Sequence, residues 1–188
     1  MQLDPTLNGT PVATLAPGPA LAFVSLPGPG ATDRFLSTLA DAMSARGLRL
    51  AGTVQTNILR PGRLHCDMDL KILPDGPVFR VSDDRGSEAR GCRLDADALE
   101  AAAAGLAGRI EGADLLVVNK FGKLEAMGRG LVPAIVAAIE RGIPVLAGVG
   151  RMNRTAFDGF SSGMAVELPA TLDAVLHWCG AGARQRLG

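Results

Sequence analysis

Ala20-Leu21-Ala22-Phe23-Val24-Ser25-Leu26-Pro27-Gly28-Pro29-Gly30-Ala31-Thr32-Asp33 is the stretch that decides the fold. Residues 20–25 are short and apolar on both faces, as a buried parallel strand should be. A Gly/Pro turn follows. From Thr32 to Arg46, Phe35, Leu36, Leu39, Ala42 and Met43 recur at helical spacing, with Gly47 as the stop. A strand that enters such a turn and leaves it as a helix aims backbone N–H groups and a helix N-terminus at one point, which suits an anion. The phosphate-loop pattern reads Gly, four residues, Gly, Lys, then Ser or Thr. Counted back from Gly30, Ser25 stands where the first glycine belongs, Ala31 replaces the lysine, and Thr32 keeps the hydroxyl position. Gly28, Pro29, Gly30, Ala31 and Thr32 therefore read as a backbone cradle without its cation.

The remaining chain alternates strands and helices. Leu48 to Val54 reads as a second strand. Leu64 to Leu73 and Val78 to Ser82, joined by the turn Pro74-Asp75-Gly76, read as an antiparallel hairpin. Asp95 caps an alanine-rich helix that runs to about Ile110. Ala113 to Val118 is an apolar strand that leads into the polar segment Asn119-Lys120-Phe121-Gly122-Lys123-Leu124-Glu125. A helix over Leu131 to Arg141, a strand over Ile143 to Val149, a short helix near Asn153–Phe160, a strand at Met164–Leu168 and a helix from Thr171 to Cys179 complete the pattern. Strands alternating with helices imply an α/β fold with a mainly parallel sheet, helices on both faces and a β-hairpin insert near residues 64–82. Residues 1–19 lack periodicity and read as a flexible lead to a single domain over 20–188.

Composition narrows the function classes. The chain has 188 residues, 47% of them hydrophobic, enough for one sizeable core. Nineteen basic and nineteen acidic side chains balance, and there is no Tyr and one Trp. Neither a basic surface nor a stacking platform for nucleic acid is implied. No apolar run reaches the ~18 residues of a membrane span, and Met1-Gln2-Leu3-Asp4-Pro5 has no basic flank of a secretory signal. Three widely spaced cysteines (Cys66, Cys92, Cys179) fit a reducing cytoplasm better than a disulfide framework. The expectation is a cytoplasmic protein with a small anionic ligand and no nucleic-acid or membrane partner. A homo-oligomer is compatible with it.

The strand ending in Val118 would bring its polar tip to the sheet edge that carries the loop, because ligands of open α/β sheets bind beyond the carboxyl ends of the strands. In phosphoryl-transfer sites of this layout, an acidic residue there holds magnesium. Asn119 offers a neutral amide instead, and Lys120 reverses the sign. At these motifs the chain resembles the small P-loop nucleoside-triphosphatase family, and more closely a bacterial domain-of-unknown-function group beside it. The likeness covers roughly residues 20–170. It rests on the loop at 26–32, on Cys66-Asp67-Met68-Asp69-Leu70, on Gly91-Cys92-Arg93-Leu94-Asp95 and on residues 117–125. It implies a P-loop NTPase-like three-layer fold with degenerate Walker A and Walker B motifs, and a link to molybdate metabolism. Active triphosphatases of this kind use the loop lysine and an Asp-Glu pair, which are Ala31, Asn119 and Lys120 here, so the implied hydrolysis is weakened.

Each candidate residue also has a plain reading. The loop can be an ordinary strand-to-helix turn; Lys120 and Lys123 can be solvated loop lysines, or can supply the charge missing at Ala31. Glu125 is a surface or capping residue, or else the first candidate for a catalytic base. His65, Cys66 and Cys92 include zinc-ligand types but lack Cys-x-x-Cys or His-x-x-x-His spacing, so no metal site is assigned. Asp67 and Asp69 share one face of their strand, either solvent-facing or covering the site. Arg90, Arg93, Arg151 and Arg154 are solvated side chains or oxyanion contacts.

Three functions follow. The first is a protein that binds a nucleotide (ATP or GTP) or a phosphate-like oxyanion through Gly28–Thr32, Asn119, Lys120 and Lys123, with little or no hydrolysis. The second is an atypical Mg-dependent nucleoside triphosphatase with Lys120 in place of the loop lysine. The third is a ligand-free regulatory or interaction module.

Overall fold

The computed structural model describes residues 20–59, 61, 66–82 and 94–184. The 1–19 lead lies outside these residues, as do His65, Cys92, Arg90 and Arg93. Seven strands form one sheet: β1 (Leu21–Val24), β2 (Leu50–Ile58), β3 (Asp67–Ile72), β4 (Val78–Arg80), β5 (Leu115–Phe121), β6 (Val145–Val149) and β7 (Val166–Glu167), in the order β4-β3-β2-β5-β6-β1-β7. β2, β5, β6, β1 and β7 run parallel, while β3 and β4 add antiparallel strands beyond β2. The hairpin thus continues the main sheet as an edge. The helices are α1 (Ala31–Ser44), α2 (Ala96–Leu106), the four-residue α3 (Lys123–Ala126), α4 (Val132–Glu140), α5 (Arg154–Ser161) and α6 (Leu172–Arg184).

Strand alternation sorts the core into two layers. Ala22, Val24, Leu115, Val117 and Leu146 face the layer of α1 and α6, with Leu36, Leu39, Ala40, Met43 and Val175. Leu21, Phe23, Leu116, Val118, Val145 and Ala147 face the opposite layer of α2, α4 and α5, with Leu99, Leu106, Ile135, Ala138 and Phe157. The stripe 36, 39, 40, 43 is the α1 spacing that a helix needs to bury one face. Each large side chain so buried contributes about 1.5–3 kcal/mol. Asp95 caps α2 as expected, accepting from the Ala98 N–H at 3.0 Å.

Two features position the site. From β1 the chain crosses one face of the sheet through α1 to β2, while from β6 it crosses the other face through α5 to β7. The loops after β1 and β6 therefore diverge, which leaves a crevice at the carboxyl ends of adjacent strands. This is a P-loop NTPase-like α/β layout, with the loop at 25–30 inside the crevice.

The second feature corrects the expected end of a strand. β5 does not stop at Val118 but runs through Asn119, Lys120 and Phe121, with an irregular register against β6 between Val118 and Phe121. Asn119 and Lys120 are strand residues, held by the sheet. β2 is also longer than its apolar run, because Gln55, Thr56, Asn57 and Ile58 pair antiparallel with β3 from Leu70 back to Asp67. Alternating hydrophobicity could not show that extension, since its partner is itself half polar.

Candidate functional site

The loop between β1 and α1 turns on two glycines in the left-handed region, Gly28 at φ 94° and Gly30 at φ 65°. Gly30 is also the N-cap of α1, without a side-chain cap. A Cβ at Gly30 would approach Asn57 Nδ2 to 3.1 Å and Arg34 Nη1 to 3.2 Å, so the bend has little room for another residue. Two bonds hold the loop from inside. The Leu26 N–H donates to Thr32 Oγ1 at 3.1 Å, and the Ala31 N–H reaches the Gly28 carbonyl at 3.4 Å. The Thr32 hydroxyl thus staples the loop. Among the described residues, the N–H groups of Gly30, Thr32 and Asp33 have no acceptor, which leaves part of the α1 N-terminus open. Arg34 folds back and donates from Nη1 to the Pro29 carbonyl at 3.3 Å.

These residues line a cleft of about 230 Å³ made by Leu26, Gly28, Pro29, Gly30, Thr32 and Asp33 together with Asn119, Lys120, Gly148 and Gly150. The structure thereby brings Asn119 and Lys120 to the loop. Gly148 makes the seat possible: a Cβ there would lie 2.9 Å from Thr32 Cγ2 and clash with the Asn119 carbonyl oxygen. Lys120 is exposed and, among the described residues, has no ion-pair partner. Lys123 is absent from this cleft.

Sequence reasoning passed over Asp33, which the geometry places at the centre of a polar network. Its Oδ1 accepts from Asn119 Nδ2 at 2.9 Å and its Oδ2 from Asn57 Nδ2 at 2.7 Å. Asn57 Oδ1 in turn accepts from Gln55 Nε2 at 2.7 Å. Asn119 is 1% exposed, and its Oδ1 takes the Gln55 backbone N–H at 2.9 Å. Parallel pairing of β2 with β5 ends at Gly52 and Val117. Beyond that point the Asn119 side chain satisfies a β2 amide that the ladder has released. An aspartate at 119 could accept from Gln55 but would set its second oxygen against Asp33. The acidic group of this network stands in the first turn of α1, and the Asn119 amide faces it. The signal was available: an acidic residue next to Thr32 changes the charge of an anion cradle, although it also suits a helix N-terminus.

Glu125 has a structural use. It is buried, and its carboxylate accepts from the Gly122 N–H at 2.9 Å and the Leu131 N–H at 3.2 Å, bracing α3 and the start of α4. Asp67 and Asp69 do share a face, as alternation implies, but they bind Arg80 on β4: Nη1 to Asp67 Oδ2 at 2.8 Å, and Nε to Asp69 Oδ1. The Asp69 hydrogen bond is the main cause holding Arg80 above its ordinary pKa. Arg154 is engaged by Asp158 and Glu167 and lies 4.4 Å from the Phe23 ring centroid, so it ties α5 to β7 and β1. Arg151 is exposed in the 3-10 turn after β6 and lies outside the lining of the loop cleft.

On the α2 and α4 side of the sheet lies a larger cavity of about 400 Å³, which the sequence did not disclose. It opens where β2 and β5 part. Its walls include Met68, Leu70, Val81, Leu99 and Leu131, with Gln55, Asn119, Lys120 and Lys123 among its polar groups. Asn119 and Lys120 border both spaces. Among the described residues no three His, Cys, Asp or Glu side chains are grouped to hold a metal ion, and no helix is long and apolar enough to cross a membrane.

Comparison with known proteins adds three findings. The chain is similar to the molybdenum import ATP-binding protein ModC 2 of Bradyrhizobium diazoefficiens, 34% identical over 147 residues, which covers 78% of this chain and 16% of that relative. It is also similar to the solution structure of a human cancer-related nucleoside triphosphatase, at 15% identity and a TM-score of 0.47, covering 89% of this chain and 84% of that one. The family model of DUF2478, a protein of unknown function, matches residues 21–178, and the chain belongs to that family.

Proposed function

We propose that the loop cleft binds a phosphate-like oxyanion or the phosphate chain of a nucleotide, without efficient hydrolysis. One observation carries this reading. The open N–H groups at the α1 N-terminus and the unpaired Lys120 ammonium belong to one cleft. Backbone N–H groups and a helix dipole favour negative charge there, and an ammonium from β5 supplies what Ala31 lacks. At about 230 Å³ the cleft suits an oxyanion or a run of phosphates, with any base and sugar outside it. A relative named as an ATP-binding protein for molybdenum import makes ATP and molybdate the first ligands to try.

The same geometry disfavours fast phosphoryl transfer. Rate enhancement in such reactions comes from charges placed on the transferring group and from a positioned nucleophile. The Asp33 carboxylate is already held by two amides, and the two Glu125 oxygens by two backbone N–H groups. Glu125 is buried away from the loop cleft, and the Asp33 carboxylate adds negative charge to that cleft.

Calorimetry with ATP, GTP and molybdate, with and without magnesium and paired with a phosphate-release assay, tests the proposal. The expected result is binding without turnover, weakened about tenfold or more by Lys120→Ala, the scale of a lost hydrogen bond to a charged group. Magnesium-dependent phosphate release abolished by Lys120→Ala would establish the atypical triphosphatase instead. No heat with any of these ligands would leave an interaction module.

A further inference from the structure

The cavity on the far side of β5 has the attributes of a second ligand site. A cleft of about 400 Å³, open to solvent on one side, lies against core side chains. Its cause is local: β2 follows β3 after Gly52, β5 follows β6 after Val117, and the gap between them is roofed by Leu99 of α2 and by Leu131. The walls formed by Met68, Leu70, Val81, Leu99 and Leu131 are aliphatic and cannot satisfy water, so filling the space with apolar atoms is favourable. Charge is confined to particular points. Lys120 and Lys123 are exposed ammoniums with no partner among the described residues. The Glu125 carboxylate on the same wall is consumed by the Gly122 and Leu131 amides. Met152, 98% exposed, extends the apolar surface at the opening.

We propose that this cavity binds an organic anion with an apolar body, seated against Leu70, Leu99 and Leu131 and held at its acid group by Lys120 and Lys123. An apolar enclosure with a few convergent polar groups is the usual form of a small-molecule site. The cavity is distinct from the loop cleft, and the two share only Asn119 and Lys120. Lys123 belongs to the cavity alone, which lets the two readings fail separately.

The test uses 1-anilinonaphthalene-8-sulfonate, an apolar double-ring body with one sulfonate, and N-phenyl-1-naphthylamine, the same body without it. The wild-type protein should bind one equivalent of the sulfonate and shift the methyl resonances of Leu70, Leu99 and Leu131. Lys123→Ala should weaken the sulfonate about fivefold or more and leave the neutral amine within twofold. Met152→Asp, at a position too exposed to affect folding, should weaken both. ATP or molybdate binding at the loop, measured separately, should survive Lys123→Ala. The proposal is overturned if the sulfonate does not saturate at one equivalent, if the three methyl groups do not shift, or if Lys123→Ala binds it like the wild type.

Discussion

The two sides of the β5 end contrast sharply. Towards α1, Asn119 bonds Asp33 and the Gln55 amide, and Asn57 bonds the same Asp33, in a closed set beside the loop after β1. Towards α2, the same strand borders an open aliphatic cavity whose two lysines form no ion pair among the described residues, its Glu125 carboxylate being bound to backbone amides. The loop side sets open α1 amides and the Lys120 ammonium beside that closed network; the cavity side sets Lys120 and Lys123 beside aliphatic walls. The end of β5 serves both spaces because Asn119 and Lys120 each border the two. The lesson concerns the loop. Around it an acid stands at 33, an amide at 119 and a cation at 120.

Breaking the contrast at its base should have the largest effect. Gly148→Val would drive side-chain carbon into the Asn119 carbonyl and Thr32 Cγ2, removing the seat under the loop. Overpacking against backbone should cost about 3 kcal/mol. A chemical-denaturation midpoint would read this loss, together with loss of anion binding.

Asn119→Asp attacks the polar side alone. It places a second carboxylate against Asp33, so the loss should be about 2–3 kcal/mol at neutral pH. One carboxyl of the pair would titrate above its unfolded value. The variant should then keep most of its stability while that group is protonated and lose it as pH rises through the raised value. Unfolding measured from pH 4 to pH 8 should show the gap to wild type widening upward; a constant gap would mean that Asp33 does not face residue 119.

Much of this was legible beforehand, and the residues show why. The helical spacing of Phe35, Leu36, Leu39, Ala42 and Met43, of which Leu36, Leu39 and Met43 are buried, the Asp95 cap and the stop at Gly47 are local signals, and each gave its element. The end of β5 was misread because Asn119 and Lys120 lack strand chemistry, and their place is fixed by neighbouring strands. The Asp33–Asn119 contact spans 86 residues, and the cavity exists because β2 and β5 separate. Neither is a property of any short window of sequence.

Smaller effects sharpen the contrast. Asp33→Asn should cost about 1 kcal/mol through a mismatched amide contact, while removing the cleft's carboxylate should raise anion affinity several-fold in calorimetry. Lys120→Ala should change stability by less than about 0.5 kcal/mol, since an exposed side chain without a partner holds nothing in place. It should nevertheless weaken ligands in both spaces.

The central claim is that open loop amides and Lys120 hold an anion. Amide proton–nitrogen spectra recorded during titration with ATP or molybdate test it most directly. Saturable shifts of the Gly30, Thr32 and Asp33 amides, lost in Lys120→Ala, are predicted. Shifts confined to other residues, or none at saturating ligand, would contradict it.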